Sequence, residues 1–146
     1  MKPAPDSSEA VRVAEQFAYA LDRSNFEQAA ELLRDDCEYV IRGQTIRGPT
    51  AIMAAYAQSD AWALKNLDRI EYESSTAQAD DTVGSAVVIT FVDRVFHQGR
   101  SHIFTCRQLI ALGPCGRIAR ITHEDVEGER EALDAFFASC GLRRDG

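Results

Sequence analysis

The sequence has no apolar run long enough to cross a membrane and no apolar stretch of the kind found in secretory signal peptides. It also has no lysine and arginine cluster interleaved with aromatic residues, and its formal net charge is −7 at pH 7. Binding to nucleic acid or to an anionic membrane requires positive charge, so we expect neither partner. We expect a cytoplasmic protein.

Metal and redox motifs are missing as well. The four cysteines are widely spaced and form no C-x-x-C pair: Cys37, Cys106, Cys115 and Cys140. The spacing predicts free thiols in a reducing compartment, with no metal site and no cofactor. His97 and His102 could hold a metal across a hairpin end, but two ligands without a carboxylate make a weak site.

The 146 residues, 45% of them hydrophobic and 27% charged, are typical of one globular domain. We predict a flexible tail over residues 1–7, where two prolines lie, and a single domain over residues 8–142.

The first half of the domain has helical periodicity. Asp6 and Glu9 have the spacing of a capping box. One apolar stripe follows at helical spacing: Ala10, Val13, Ala14, Phe17 and Leu21. Asn25 can cap a second helix from Phe26 to about Arg34, which the segment "CEYVIRG" follows as a strand.

A third helix is predicted to begin after Gly48 with Pro49 in its first turn and to end near Trp62. A last helix carries an apolar stripe, Leu133, Phe136, Phe137 and Cys140, and Gly141 can close it. We expect this helix to cover the mouth of a pocket or to join a dimer contact.

Between these helices the period changes to two. Four strands are predicted, at residues 68–77, 83–97, 102–112 and 117–126. Helices followed by a long antiparallel sheet indicate an α+β domain. The stretch "QGRS" fits a two-residue type II′ turn with Gly99 in first position, and "GPCG" fits a four-residue loop.

These loop lengths place Asp93, Cys106 and His123 in one row across three strands, on the more apolar face. Asp93 could then accept the imidazole N–H of His123 and raise its basicity as a general base. Phe104, Gln108 and Asp125 share that face. Three alternatives stay open: His123 is an ordinary strand residue, Cys106 is a small buried residue or a nucleophile, and Asp93 faces solvent if the register slips by one.

The order of elements resembles the nuclear transport factor 2-like superfamily, with its ketosteroid isomerases, SnoaL-like polyketide cyclases, scytalone dehydratase and limonene epoxide hydrolase. The segments that carry the resemblance are "EQFAYALDRSNFEQAAELLRDDCEYVIRG", "IRGPTAIMAAYAQS", "FHQGRSH" and "GPCGRIARITHED". The resemblance implies a curved, mostly antiparallel sheet wrapped around the N-terminal helices into a cone, a cystatin-like α+β roll, here with an extra C-terminal helix. It also implies an apolar pocket and a dimer.

Position by position, the resemblance argues against steroid isomerisation. Ile41 stands where ketosteroid isomerases have their general-base aspartate, and Phe17 where they have an oxyanion-binding tyrosine. Gln108 matches their partner carboxylic acid, and Tyr56 matches a supporting tyrosine. His123 lies at or next to the acid/base aspartate of cyclases and epoxide hydrolases.

The sequence therefore predicts a pocket for a small hydrophobic molecule with a polar group, and a cofactor-independent isomerase, cyclase, dehydratase or hydrolase that uses His123 and Asp93. The predicted substrate-binding residues are Gln108, Tyr56, Cys106, Asp125, Phe17, Ile41 and Phe104. The alternative is a non-catalytic ligand-binding or dimeric interaction module. A homodimer would use the outer face of the sheet, at Thr90, Val92, Arg94, Thr105 and Arg107.

Overall fold

The computed structural model describes residues 7–78 and 87–143. In these ranges the chain forms four helices and six strands: α1 (Ser7–Asp22), α2 (Phe26–Glu31), β1 (Leu33–Ile41), β2 (Gln44–Arg47), α3 (Pro49–Asn66), β3 (Arg69–Gln78), β4 (Val87–His97), β5 (Arg100–Leu112), β6 (Ile118–Asp125) and α4 (Glu129–Ser139). Ser7, which we had placed in the tail, belongs to α1, and the rest of the predicted tail lies outside the described residues. No helix among the described residues is both long and apolar enough to span a membrane.

The six strands form one mixed sheet in the order β2-β1-β6-β5-β4-β3. Strands β1 and β6 pair in parallel, and the other neighbouring strands pair antiparallel. Helix α1 packs against β3, β4 and β5, while α3 packs against β1, β2 and β3. The structure thus confirms the predicted α+β class, with an open sheet around the helices.

The main core lies between the sheet and the helices α1 and α3. The predicted stripe of α1 is buried, with Ala10, Ala14 and Phe17 fully inaccessible and Val13 7% exposed. Phe17 packs among the inward residues of the sheet, such as Ile89 and Ile110. A Phe17→Ala change would cost about 3–5 kcal/mol of folding free energy at a site of this kind.

The second helix is shorter than predicted, and a strand replaces its end. Asn25 caps α2 as expected, since its side chain accepts the backbone N–H of Gln28 at 3.2 Å. Helix α2 nevertheless ends at Glu31, because the Leu32 carbonyl accepts the backbone N–H of Ile118 at 2.9 Å and Leu33 pairs with Ile118 on β6. The pairing with β6 draws the chain into an extended conformation earlier than its helical pattern indicates.

Two further corrections concern the ends of elements. The short strand β2 was not predicted; it returns along β1 after Arg42 and Gly43, which both have positive φ. Helix α3 continues to Asn66 rather than ending near Trp62. Its last turns stay helical because Trp62 and Ala63 are covered by the C-terminal helix.

The β4–β5 hairpin turns one residue earlier than predicted. Gln98 and Gly99, with φ of 53° and 75°, are its central residues, so the turn is of type I′ rather than II′. His97 therefore faces Arg100, and Asp93 faces Phe104 rather than Cys106. The predicted register is wrong by two residues, but an even shift leaves every side chain on its predicted face.

The β5–β6 hairpin shows the same kind of error for a different reason. Leu112 pairs with Ile118, so five residues separate the strands, and an irregularity follows between Ala111 and Leu112. Together they shift the register by two residues, and Cys106 faces Asp125 rather than His123. His123 and Asp125 still point inward, as predicted.

The last helix closes a second core. In α4, Leu133, Phe136 and Phe137 are buried against Ala63 from α3, Leu67 just after α3 and Val95 from β4. Gly141 has a φ of 74°, and the backbone N–H of Leu142 reaches the Phe137 carbonyl at 2.8 Å, which is a Schellman-type closure. This helix therefore covers the inner face of the sheet near the β4–β5 turn.

Candidate functional site

Gln108, on the inner face of β5, is 3% exposed and connects three elements. Its Oε1 accepts the hydroxyl of Tyr56 from α3 at 2.7 Å. Its Nε2 donates to the Tyr39 hydroxyl on β1 at 3.2 Å and lies 3.3 Å from Nδ1 of His123 on β6. The bond on the carbonyl side is short and orients the amide, while the two on the nitrogen side are long.

An aromatic wall surrounds this amide. The rings of Tyr39 and Tyr56 stack with centroids 5.3 Å apart, and Phe17 meets Tyr56 edge-on at 6.1 Å. Burial raises the pKa of Tyr39 to about 12 and that of Tyr56 well above 10, so both hydroxyls stay protonated and can donate. The structure thus brings Phe17, Tyr56 and Gln108 together as predicted neighbours, and it adds Tyr39.

The imidazole of His123 continues the network toward the surface. Its side chain is 8% exposed, and Nε2 lies 3.0 Å from Oδ1 of Asp125, two residues further along β6. Arg42, from the β1–β2 turn, donates two hydrogen bonds to the same carboxylate, from Nε at 2.8 Å and from Nη2 at 2.7 Å. The histidine is therefore held at both ring nitrogens.

These contacts define the protonation states. Burial raises the pKa of Asp125, but hydrogen bonds from Arg42 and His123 outweigh burial and bring the pKa below 3.8, so the carboxylate is ionised. Burial lowers the pKa of His123, and its bond to Asp125 offsets this only in part, so the ring is neutral near pH 7. Because Asp125 can only accept, His123 carries its proton on Nε2, and Nδ1 accepts from Gln108.

Asp93 does not orient His123, contrary to our prediction. It pairs with Phe104, whereas His123 pairs with Gln108, four residues further along β5. That offset is roughly 13 Å along the strand, in addition to two strand spacings. The two-residue register shifts in both hairpins act in opposite directions along the sheet and separate the predicted pair. The carboxylate that binds the imidazole is that of Asp125.

Asp93 instead belongs to a second polar group, which we call the carboxyl cluster: Asp22, Asp60 and Asp93 with Ser24, Tyr72 and Ser74. Ser74 donates to Asp22 at 2.6 Å, and Tyr72 and Ser24 donate to Asp60 at 2.8 and 2.9 Å. Burial, reinforced by the charge of Asp22, raises the pKa of Asp93 to about 7. Asp93 is therefore a buried carboxyl group that is largely protonated below neutral pH.

Three other predicted site residues occupy supporting positions. Cys106 lies between Phe91 and Asp125 in the sheet. Burial, with smaller contributions from Asp93 and Asp125, raises the pKa of Cys106 to about 12, which argues against a thiolate nucleophile. Phe104 packs with the second core under α4, and Ile41, at the end of β1, packs against the main core.

Sequence reasoning missed Arg42 and the members of the carboxyl cluster other than Asp93. One signal was present for Asp22, an acidic residue in the last turn of α1, where the helix dipole disfavours negative charge. Arg42 carried no such signal, because a turn and a parallel strand pair bring it to Asp125. Within residues 7–78 and 87–143, no group of three histidine, cysteine or carboxylate side chains could hold a metal ion, and all four cysteines are free.

Neither a family model nor a curated protein sequence matches this chain. Solved structures do. A candidate polyketide cyclase from Xanthomonas campestris pv. campestris superposes with a TM-score of 0.66 at 14% identity, over 88% of this chain and 98% of the other. An LEH-like epoxide hydrolase from M. tuberculosis gives 0.63 at 21% identity, over 98% and 99%. An NTF2-like protein of unknown function from Exiguobacterium sp. 255-15 gives 0.58 at 14% identity, over 79% and 98%.

This chain has the nuclear transport factor 2-like fold. The match to whole chains of that fold confirms the resemblance drawn from the sequence, including the cone. At these identities the likeness concerns architecture alone, because this fold carries enzymes and other proteins alike. Within the nuclear transport factor 2-like cone, the inner face of the sheet here bears two polar groups, the histidine network and the carboxyl cluster.

Proposed function

We propose that the protein is a cofactor-independent acid/base enzyme that acts on a small, mostly apolar molecule with one polar group. The observation that carries the proposal is the position of His123 Nδ1 beside the Gln108 amide, 3.3 Å away, in a ring whose other nitrogen is held by Asp125. A substrate oxygen that accepts the Gln108 N–H would lie next to this nitrogen. The unprotonated Nδ1 is then placed to act as a general base.

The proton transfer follows from the same contacts. His123 Nδ1 takes a proton from the substrate, the substrate keeps the electron pair, and the ring becomes an imidazolium. The ionised Asp125, itself held by Arg42, stabilises that positive charge. Gln108, held by Tyr56, donates to the substrate oxygen on which negative charge collects. Isomerisation, cyclisation, dehydration and hydrolysis can all proceed from such a step.

A second candidate, a ligand-binding or interaction module without turnover, is favoured by one observation. Both ring nitrogens of His123 and both polar atoms of the Gln108 amide already have protein partners. A closed polar network of this kind also stabilises a buried sheet without any chemistry. The two candidates differ in whether Nδ1 exchanges its Gln108 partner for a ligand.

A hydrogen-exchange assay separates these candidates. Small apolar ketones would be incubated with the protein in deuterated water, and deuterium at the carbon next to the carbonyl would be followed by NMR; an epoxide panel would be run in parallel. His123→Gln keeps a donor toward Asp125 but has no titratable base. We expect it to lose at least about a hundredfold in rate, the usual contribution of a general base. Turnover by the variant at the wild-type rate would contradict the proposal.

We also propose a homodimer formed through the outer face of the sheet, in a reducing compartment such as the cytoplasm. Ile103 on β5 is 51% exposed on that face, where it faces Arg94 on β4, and the neighbouring pair on the same face is Thr105 and Val92. Ile103→Glu would place a negative charge and its two-fold copy within this patch, where both would lose water on association. Light scattering should then give the mass of one chain for the variant and of two for the wild type.

A further inference from the structure

Arg130 is the second residue of α4, and its position is fixed by its neighbour. The Glu129 carboxylate accepts the backbone N–H of Thr105 at 2.7 Å, which ties the first turn of α4 to β5 just beyond the end of β6. The helix therefore begins beside the row of Cys106 and Asp125. Arg130 follows Glu129 directly, so its backbone lies next to this row, which includes Asp125 of the histidine network.

The guanidinium of Arg130 has an unused donor. Its Nε is buried and has no hydrogen-bond partner within the described part of the chain. Both oxygens of Asp125 already accept hydrogen bonds, from Arg42 and His123, and Oε1 of Glu129 accepts the backbone N–H of Thr105. A buried donor without an acceptor costs about 1–3 kcal/mol, so its retention calls for a partner from outside the chain.

The charge of Arg130 points to the sign of that partner. A cation in the first turn of a helix opposes the helix dipole, and the acidic residues Glu129 and Glu131 follow the usual preference there. A residue that departs from a local rule without a compensating contact marks a functional position. Arg130 is also close enough to His123 for its positive charge to lower the pKa of the ring. Burial is the largest cause of that lowering, and Arg42 contributes to it as well.

The structure contains a template for what such an arginine binds. Arg42 grips the Asp125 carboxylate along one edge of its guanidinium, through Nε and Nη2. The Nε end of the equivalent edge of Arg130 has no hydrogen-bond partner among the described residues. A planar guanidinium edge matches a carboxylate with two parallel hydrogen bonds, which a lysine or a neutral amide cannot reproduce.

We propose that Arg130 is a substrate-binding residue and that it binds a carboxylate on the small apolar molecule that occupies the His123 site. This inference rests on the proposed function for the location of the ligand and adds a second polar group, a carboxylate, to the one that Gln108 would hold. With the carboxylate held at the start of α4, the apolar part of the ligand lies along Cys106 and the aromatic wall. The reacting group then lies between Gln108 and His123.

Benzoate is a suitable probe, because it combines one carboxylate with an apolar ring, and benzyl alcohol is its neutral counterpart. Binding of each would be measured by calorimetry and by the ¹⁵N shifts of the His123 ring. We expect benzoate to bind the wild type more tightly than benzyl alcohol. Arg130→Gln should weaken benzoate at least about tenfold, the value of one charge-assisted hydrogen bond, and leave benzyl alcohol unchanged.

Two further variants complete the test. Arg130→Lys keeps the charge without the planar edge and should fall between wild type and Arg130→Gln, while Arg12→Gln removes an exposed arginine on α1 and should change nothing. Thermal melting of each variant checks folding. Equal benzoate affinity in wild type and Arg130→Gln, or no preference of the wild type for benzoate, would overturn the proposal. A His123→Gln variant that keeps the wild-type exchange rate and still binds benzoate through Arg130 would refute the proposed catalysis while leaving this inference standing.

Discussion

The inner face of the sheet carries two polar groups, the histidine network and the carboxyl cluster, in which the pKa of an aspartate is shifted in opposite directions. The histidine network alternates donors and acceptors from Tyr56 to Arg42, and its one negative charge, on Asp125, meets a guanidinium and an imidazole N–H. The carboxyl cluster places Asp93 near another acid, Asp22, whose charge adds to the effect of burial on the pKa of Asp93. Pairing lowers the pKa of Asp125, whereas burial and like charge raise that of Asp93. The difference reflects both depth and neighbours, since Asp93 is deeply buried near another acid, whereas the Asp125 side chain is 30% exposed and is held by two hydrogen-bond donors.

The largest expected effect comes from Asp93. An unfolded aspartate releases its proton near pH 3.8, but the folded protein keeps this one until about pH 7. Between these values the folded state binds more protons, so stability falls as pH rises, and above pH 7 the loss reaches about 4 kcal/mol. Asp93→Asn should remove this decline and be more stable than the wild type at pH 8. Urea denaturation from pH 4 to 8 measures it.

The matched control is Asp35→Asn, which changes an exposed aspartate and should leave the pH dependence of the wild type intact. If stability depended on pH in the same way in the wild type and in Asp93→Asn, the raised pKa of Asp93 that distinguishes the carboxyl cluster would be contradicted.

The next effect tests the closed network. Gln108→Met keeps the size of the side chain but leaves the Tyr56 hydroxyl and His123 Nδ1 without their partner. Buried groups stranded in this way cost about 3 kcal/mol together. Gln44→Met, at an exposed glutamine of β2, should stay within about 0.5 kcal/mol. Both values come from denaturant unfolding at pH 7. A loss from Gln108→Met no larger than that of the control would mean that the network adds nothing to stability.

The smallest expected effect concerns Cys106, whose pKa is raised by the charges of both Asp93 and Asp125. Burial dominates its pKa, so Asp93→Asn should speed labelling of this thiol above pH 8 by less than about tenfold. Labelled positions would be identified by mass spectrometry, with the exposed Cys115 as the internal reference. An unchanged ratio of Cys106 to Cys115 labelling would place Asp93 too far away to matter.

The fold was largely predictable because its signals are local. The α1 stripe and the alternation along β4 and β5 each depend on a few neighbouring residues, and both appear in the structure as predicted. The end of α2 was not predictable in the same way. There a parallel pairing between Leu33 and Ile118, far apart in sequence, outweighs the local helical pattern.

The site was predicted only in part, because facing pairs depend on loop geometry. The face of His123, Gln108 and Asp125 survived, since both register errors were even. The predicted pairing of His123 with Asp93 was wrong, because a turn shifted by one residue and a β-bulge moved Asp93 away from the row of His123. Asp125 binds His123 instead, because it lies two residues further along the same strand and therefore on the same face. Hydrogen bonds from Arg42 hold its carboxylate in place.

The ¹⁵N shifts of the His123 ring, followed from pH 4 to 8, measure most directly which carboxylate holds this histidine. We expect a neutral ring protonated at Nε2, with a pKa below 6.5 in the wild type. Asp125→Asn should lower that pKa further, because the ring loses its anionic acceptor, while Asp93→Asn should leave it unchanged. A ring whose pKa responds to Asp93→Asn and ignores Asp125→Asn would contradict the structure of the histidine network.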